Sequence, residues 1–184
     1  MKYIFILIFT LALTLMPFAA VAKTYNVDPG NTTIQFKAKI FIIMSVKGAF
    51  EKFKGTVDVD EADITKSKVE VSIDAASIDT GNDMRDDDLR SPGFFDVAKF
   101  PTMTFVSTKV ETLDNKLKVT GNLTIKGVTK EVVLIVDGPN NLQDKLNQGT
   151  SATATVNRQD FGVSSDAVIA DEVFITINTE LSKQ

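Results

Sequence analysis

The 184-residue sequence predicts an all-β fold: an antiparallel barrel of about eight strands with a short helical insertion near residues 82–97. Three observations predict it. Nearly every segment after Tyr25 carries apolar residues with a period of two, the repeat of a strand with one buried face. Turn signals recur at meander spacing, and no βαβ crossover pattern is present. Only residues 77–105 break the alternation.

The first residues stand outside that pattern. Lys2, an apolar run over 4–16 and the box Ala20-Val21-Ala22 have the layout of a signal peptide. The run falls short of the roughly 20 apolar residues a membrane span needs. Removal after Ala22 is expected, leaving one domain over 23–184 and a periplasmic or secreted protein. No Cys follows the apolar core, so a lipid-anchored lipoprotein is excluded.

Strands follow in order. Ile34, Phe36, Ala38 and Ile40 alternate with Thr33, Gln35, Lys37 and Lys39. The continuous run Ile40-Phe41-Ile42-Ile43-Met44 reads as a strand buried on both sides or as a bulged corner. Gly48 and Gly55 are candidate bends. Val57 and Val59 precede a turn at Glu61-Ala62-Asp63, and Val69, Val71 and Ile73 form the clearest half-exposed strand. Met103 and Phe105 share a face. Leu113-Asp114-Asn115-Lys116 reads as a hairpin turn, after which Leu117, Val119, Leu123 and Ile125 share a face with Gly121 in their row. Lys126-Gly127-Val128-Thr129 is a second turn, 132–136 is apolar on both faces, and 138–149 is the longest polar loop. Ala152, Ala154 and Val156 alternate with threonines, and Val173, Ile175 and Ile177 mark the last strand.

Inside the interruption, Asn82 caps a short helix from Asp83 to about Arg90, with Asp83, Asp86 and Asp87 in its electropositive first half. Ser91-Pro92-Gly93 stops it, and Pro101 fixes the entry into the next strand. Phe94, Phe95 and Phe100 between those prolines are too many for a polar loop, so the segment is expected to lie across a barrel mouth as a lid. Small inward residues, Ala38, Gly121, Ala152 and Ala154, favour a barrel over a packed sandwich, since eight strands enclose just enough room for side chains or one ligand. The pattern leaves a filled core and a hollow one both open.

Composition narrows function. The chain carries a net charge of −4, or −5 once Lys2 is removed, and so has no overall electrostatic attraction to nucleic acid or an anionic membrane. There is no Cys and no His. That excludes Cys or Ser–His nucleophiles and argues against zinc and haem sites. The acids 83–88 with Asp96 are weighed as a paired-carboxylate or calcium site, but a solvated helix start explains them better. Arg158, Asp160 and Asp171 are expected to form a structural ion pair near the last strands.

Several stretches resemble one family. They are Val46-Lys47-Gly48-Ala49-Phe50 with Phe53 and Gly55, Ser77-Ile78-Asp79-Thr80-Gly81-Asn82, Leu89-Arg90-Ser91-Pro92 with Phe94-Phe95-Asp96-Val97, and Phe100-Pro101-Thr102-Met103-Thr104-Phe105. Further on come Gly121-Asn122-Leu123-Thr124-Ile125-Lys126-Gly127-Val128-Thr129-Lys130 and Arg158-Gln159-Asp160-Phe161-Gly162. In order and spacing they resemble the YceI-like polyisoprenoid-binding proteins, exported bacterial domains with an extended lipocalin-like barrel. The resemblance implies an apolar cavity holding a long isoprenoid chain or similar amphiphile, for transport, storage or sensing, with no catalytic apparatus, no cofactor and no metal. Many relatives carry histidines near Ile40 and at Lys126, which this chain lacks, so chain binding carries over better than head-group identity.

Burying about 20 carbons at ~0.8 kcal/mol each gives roughly 16 kcal/mol gross, against on the order of 4–15 kcal/mol for immobilisation. Apolar area alone therefore suffices. The expected ligand-contacting residues are Phe36, Ile40, Ile42, Met103, Phe105, Leu123 and Ile125 in the wall, with Phe94, Phe95 and Phe100 in the lid. The expected partner is a long-chain isoprenoid or fatty amphiphile, with no nucleic acid and no stable membrane insertion after cleavage; the sequence leaves a homodimer open. The rival is a histidine-free lipocalin-like hydrolase or isomerase using a buried carboxylate such as Asp160 or Asp171. A secreted interaction module is disfavoured by the absence of Trp and the scarcity of Tyr.

Overall fold

The computed structural model describes residues 22–40, 44–137, 149–164 and 169–180. Along them run β1 (Ala22–Val27), β2 (Thr32–Ile40), β3 (Met44–Phe50), β4 (Phe53–Asp60), β5 (Lys68–Asp74), β6 (Ile78–Asp79), α1 (Asp83–Arg90), β7 (Thr102–Leu113), β8 (Lys116–Ile125), β9 (Val128–Asp137), β10 (Thr150–Asn157) and β11 (Ile169–Thr179). The leader expected over 1–22 lies outside the described residues except for Ala22, which opens β1. The expected polar loop lies outside them except for Gly149.

Eleven strands among the described residues form one sheet, in the order β1-β4-β5-β7-β8-β9-β10-β11-β2-β3-β6. The difference from the expected eight has a simple origin. β1 pairs antiparallel with β4 while β2 pairs antiparallel with β3, so β1 and β2 are two halves of one stave. β3 and β4 form the second stave, interrupted only at Glu51-Lys52, and β5 and β6 form the third, interrupted by the 3-10 turn Ala75–Ser77. With β7 to β11 these make eight staves. Each bonds to the next in sequence, and β11 returns to β2 to close the ring. The result is an up-and-down antiparallel barrel, a form in which closure removes the sheet edges.

Alternation along the staves behaves as the period of two requires. Ile34 is buried between exposed Thr33 and Gln35, and Met103 and Phe105 are buried beside exposed Thr102 and Val106. Two glycines serve close approach, and one of them, Gly121, also lies opposite the register shift between Ser107 and Lys109 of β7. A Cβ at Gly48 would fall 2.5 Å from Cζ of Phe36, its direct partner across β2 and β3, and a Cβ at Gly121 would collide with the Phe105 ring. Both rings therefore lie flat along the wall over a residue without a side chain.

The run around Ile40 is corrected. Ile40 pairs with Met44, so the chain reverses between them, and Met44 is 62% exposed rather than buried. Residues 41–43, including the candidate Ile42, lie outside the described residues.

Two apolar clusters make up the core. One joins β7–β10 with Phe161 and Val163; the other joins β1, β2, β4, β5 and Met103. Ile64, Phe95, Ile125 and Ile177 touch both. Ile64 comes from the 3-10 turn Ile64–Lys66 between staves two and three, and Phe95 from the lid between staves three and four, so the two close opposite ends of the barrel.

Candidate functional site: an apolar cavity under a helical lid

Between those closures the barrel encloses a cavity of about 500 Å³, within the range of ligand pockets. Its walls come from inward-facing Val, Ile, Leu, Phe and Ala of the staves. Ala38, Ala152 and Ala154 line it, as small residues that leave room would. Gly121 does not, because the Phe105 ring occupies the space above it.

Of the ten residues expected to contact ligand, Phe36, Ile40, Phe94, Phe95, Met103, Phe105, Leu123 and Ile125 line the cavity. Phe100 does not, and its expected role in the lid is corrected. Its ring packs over Gly127, where a Cβ would fall 2.8 Å from Cε1, and the Lys99 ammonium lies 5.1 Å from its centroid. Gly127 has φ +75, and the turn it forms takes Phe100 as a cover outside the barrel. Phe95 instead meets Phe50 edge-on at 6.0 Å, and Phe50 meets Phe36 at 5.7 Å, an aromatic line from lid into wall.

The lid is built as its local sequence dictates. Asn82 accepts the Arg85 amide at 3.0 Å, and Ser91 donates its amide to Asp88 at 3.0 Å. Buried Asp86 accepts the Thr80 amide at 3.0 Å and the Thr80 hydroxyl at 2.5 Å. Arg85 donates Nε to the Thr80 hydroxyl and Nη2 to the Thr80 carbonyl, while Arg90 donates to the carbonyls of Ala76 and Ile78 at 2.9 Å. Asn82 and Ser91 thus cap the helix and Asp86 anchors it, and among the described residues no acid cluster has the arrangement of a metal site.

Alternation alone missed the polar fringe. Arg85, Asp88 and Leu89 line the cavity from one face of α1, and their spacing of three and four residues is the signal that would have found them. Arg158 and Phe161 line it from the 3-10 turn Arg158–Phe161. Buried Arg158 donates to the carbonyls of Val163 at 2.8 Å, Ile169 at 3.0 Å and Ala170 at 3.2 Å, and to Asp171 at 3.3 Å. Asp160 is exposed and takes no part in that pair, and the Asp171 side chain is 54% exposed. The expected three-member cluster is therefore a two-member pair. Neither carboxylate is buried in apolar surroundings.

Lys126 donates to the carbonyls of Pro92 at 2.8 Å and Gly162 at 3.0 Å. It ties the segment after α1 to the turn holding Phe161. At this position the chain has a strap across the closed end.

The profile of the YceI-like domain matches residues 25–181. Protein YceI of Salmonella newport (strain SL254) is 35% identical over 168 residues, 88% of each chain. Among solved structures, BcnA of Burkholderia cenocepacia superposes with a TM-score of 0.72 at 29% identity, covering 83% of this chain and 97% of that one. The Campylobacter jejuni YceI protein reaches 0.67 at 33% identity, covering 79% and 90%. A polyisoprenoid-binding domain from Saccharophagus degradans shares the fold at a TM-score of 0.57 and 14% identity, covering 86% and 99%.

Proposed function

This chain belongs to the YceI-like family, and from that premise we propose that it is an exported protein holding a long-chain polyisoprenoid or similar amphiphile in its barrel, for transport, storage or sensing. The observation that carries the reading is the cavity: about 500 Å³, walled by aliphatic and aromatic side chains, with charged groups only at the lid end. An oily tail is held there by apolar area, and Arg85 and Asp88 at the lid are placed to orient a head group. Phe36, Ile40, Met103, Phe105, Leu123 and Ile125 are the tail contacts, Phe94 and Phe95 the lid contacts. The leader is removed after Ala22, the protein acts in the periplasm or outside the cell, and no cofactor is involved. The isoprenoid named for the Saccharophagus degradans domain supports the choice of ligand class.

Binding is favoured over catalysis because the two carboxylates suited to a histidine-free enzyme are exposed, and Asp171 is engaged by Arg158. Native mass spectrometry of the exported protein, followed by organic extraction, tests the reading. An isoprenoid or fatty chain is expected to co-purify. A protein that carries no lipid and takes up none from an offered polyprenol would refute it. Ala152→Phe, which fills the cavity from one wall, is expected to abolish uptake while the fold persists.

A further inference from the structure

The cavity has a charged end and an uncharged one. Among the described residues the charged groups that line it are Arg85, Asp88 and Arg158, all at the lid end. At the opposite end the 3-10 turn Ile64–Lys66 sets Ile64 against both core clusters, so that its side chain lies across the floor of the cavity. That turn is closed by its own bonds. Asp63 accepts the Thr65 amide at 3.1 Å and hydroxyl at 2.6 Å, Asp60 accepts the Asp63 amide at 2.9 Å, and Ser67 donates its amide to the Ile64 carbonyl at 3.1 Å. None of these bonds runs to the lid, so Ile64 keeps its place when the lid end opens.

The height open to a tail follows from β8. Leu117, beside the 113–116 hairpin, and Ile125, beside the lid-end turn, face the cavity from one row and stand eight residues apart (125 − 117). Eight residues at ~3.4 Å span about 27 Å along the strand, and a tilt of roughly 35–45° leaves about 20 Å along the barrel axis. With carbon–carbon bonds of ~1.5 Å an extended tail advances about 1.25 Å per carbon, so roughly 16 carbons make one pass. A barrel of eight staves is wide enough for one such tail, not for a doubled one.

We infer that the barrel measures the tail of its ligand and that Ile64 is the residue that sets the length. Tails of up to about 16 carbons, the size of three isoprene units or a common fatty chain, lie wholly inside, and longer ones leave the excess outside the lid. The inference rests on the lipid-binding reading and names the chain class and a specificity-determining residue of that site. The uneven lining sets the direction: the polar head stays with Arg85 and Asp88, and the far end of the tail meets Ile64. Each carbon that Ile64 keeps out of the barrel forgoes its burial, a loss of up to about fourfold in affinity.

The test offers the exported protein, stripped of lipid, an equimolar ladder of straight-chain primary alcohols of roughly 10 to 26 carbons in detergent micelles; the bound fraction is extracted and read by mass spectrometry. Every tail starts in an apolar phase, so those that fit are expected to be taken up alike. Beyond about 16 carbons each further carbon is expected to lower uptake by up to about fourfold. Ile64→Ala removes three side-chain carbons and is expected to raise the limit by about three, and Ile64→Phe adds three and is expected to lower it by about three. Val133→Ala, on the exposed outer wall, is expected to leave the limit unchanged. Melting curves accompany the ladder; should one Ile64 variant unfold, the other and the break in the wild-type ladder still decide. Undiminished uptake through the longest alcohol, or one limit shared by the wild type and the folded Ile64 variants, would overturn the length limit and leave the carrier reading standing. No uptake of any alcohol by the wild type would sink the carrier reading itself, and the length limit with it.

Discussion

At the lid end of the barrel four cations reach backbone carbonyls between 5 and 36 residues away, whereas at the opposite end carboxylates accept amides two or three residues away. Arg85, Arg90, Lys126 and Arg158 supply the first set. Asp60, accepting the amides of Ala62 and Asp63, and Asp63, accepting the amide of Thr65, supply the second. Both sets satisfy backbone groups that leave a strand without a partner. The difference lies in reach. The turn that carries Ile64 is closed by local bonds, while the lid end exists only when α1, the 126–127 turn and the Arg158–Phe161 turn have come together. An end assembled from distant pieces opens as a unit, which suits the side where a ligand enters.

The sharpest way to break this comparison is Arg158→Leu. It leaves the carbonyls of Val163, Ile169 and Ala170 without their donor in a buried place, at an expected cost of about 3 kcal/mol, read as a fall in melting temperature on the order of 10 °C. Next comes Asp86→Ala, which removes the acceptor for the Thr80 amide and hydroxyl; about 2 kcal/mol is expected from the shift in urea midpoint. Lys126→Met keeps the stem and loses the strap. We expect a global loss of about 1 kcal/mol with faster amide exchange confined to 91–100 and 158–163. Exchange spread evenly over the barrel would show that the lid end is not a unit.

The smallest effect is Asp63→Ala. The Thr65 hydroxyl and amide, with a lesser pull from Lys66, hold the Asp63 carboxyl below its ordinary 3.8. A depressed carboxylate contributes stability that is fully present above its unfolded value and lost as pH falls through the folded one. The slight destabilisation by Asp63→Ala is therefore expected at neutral pH and should vanish in acid. A melting temperature lowered as much as in Arg158→Leu would end the distinction between the two barrel ends.

Much of the lid was legible in the chain because its signals are local. Asn82 and Ser91-Pro92-Gly93 bracket α1 where they were expected to, and Phe94 and Phe95 turn inward. Phe100 was not legible: three phenylalanines in one loop reveal an apolar burden, but only the position of Gly127 sends one of them outside. The reversal between Ile40 and Met44 was missed because it carries no Gly, Pro, Asn or Asp to announce a turn.

The sequence by itself determined which face of each strand turns inward and where the helix begins and stops, since both follow from side chains a few positions apart. Only the tertiary structure decided that eight staves, three of them broken, close on a hollow rather than a filled core. That outcome depends on the radius of the closed ring and on the summed volume of side chains contributed from every stave, quantities that no single stretch of chain contains.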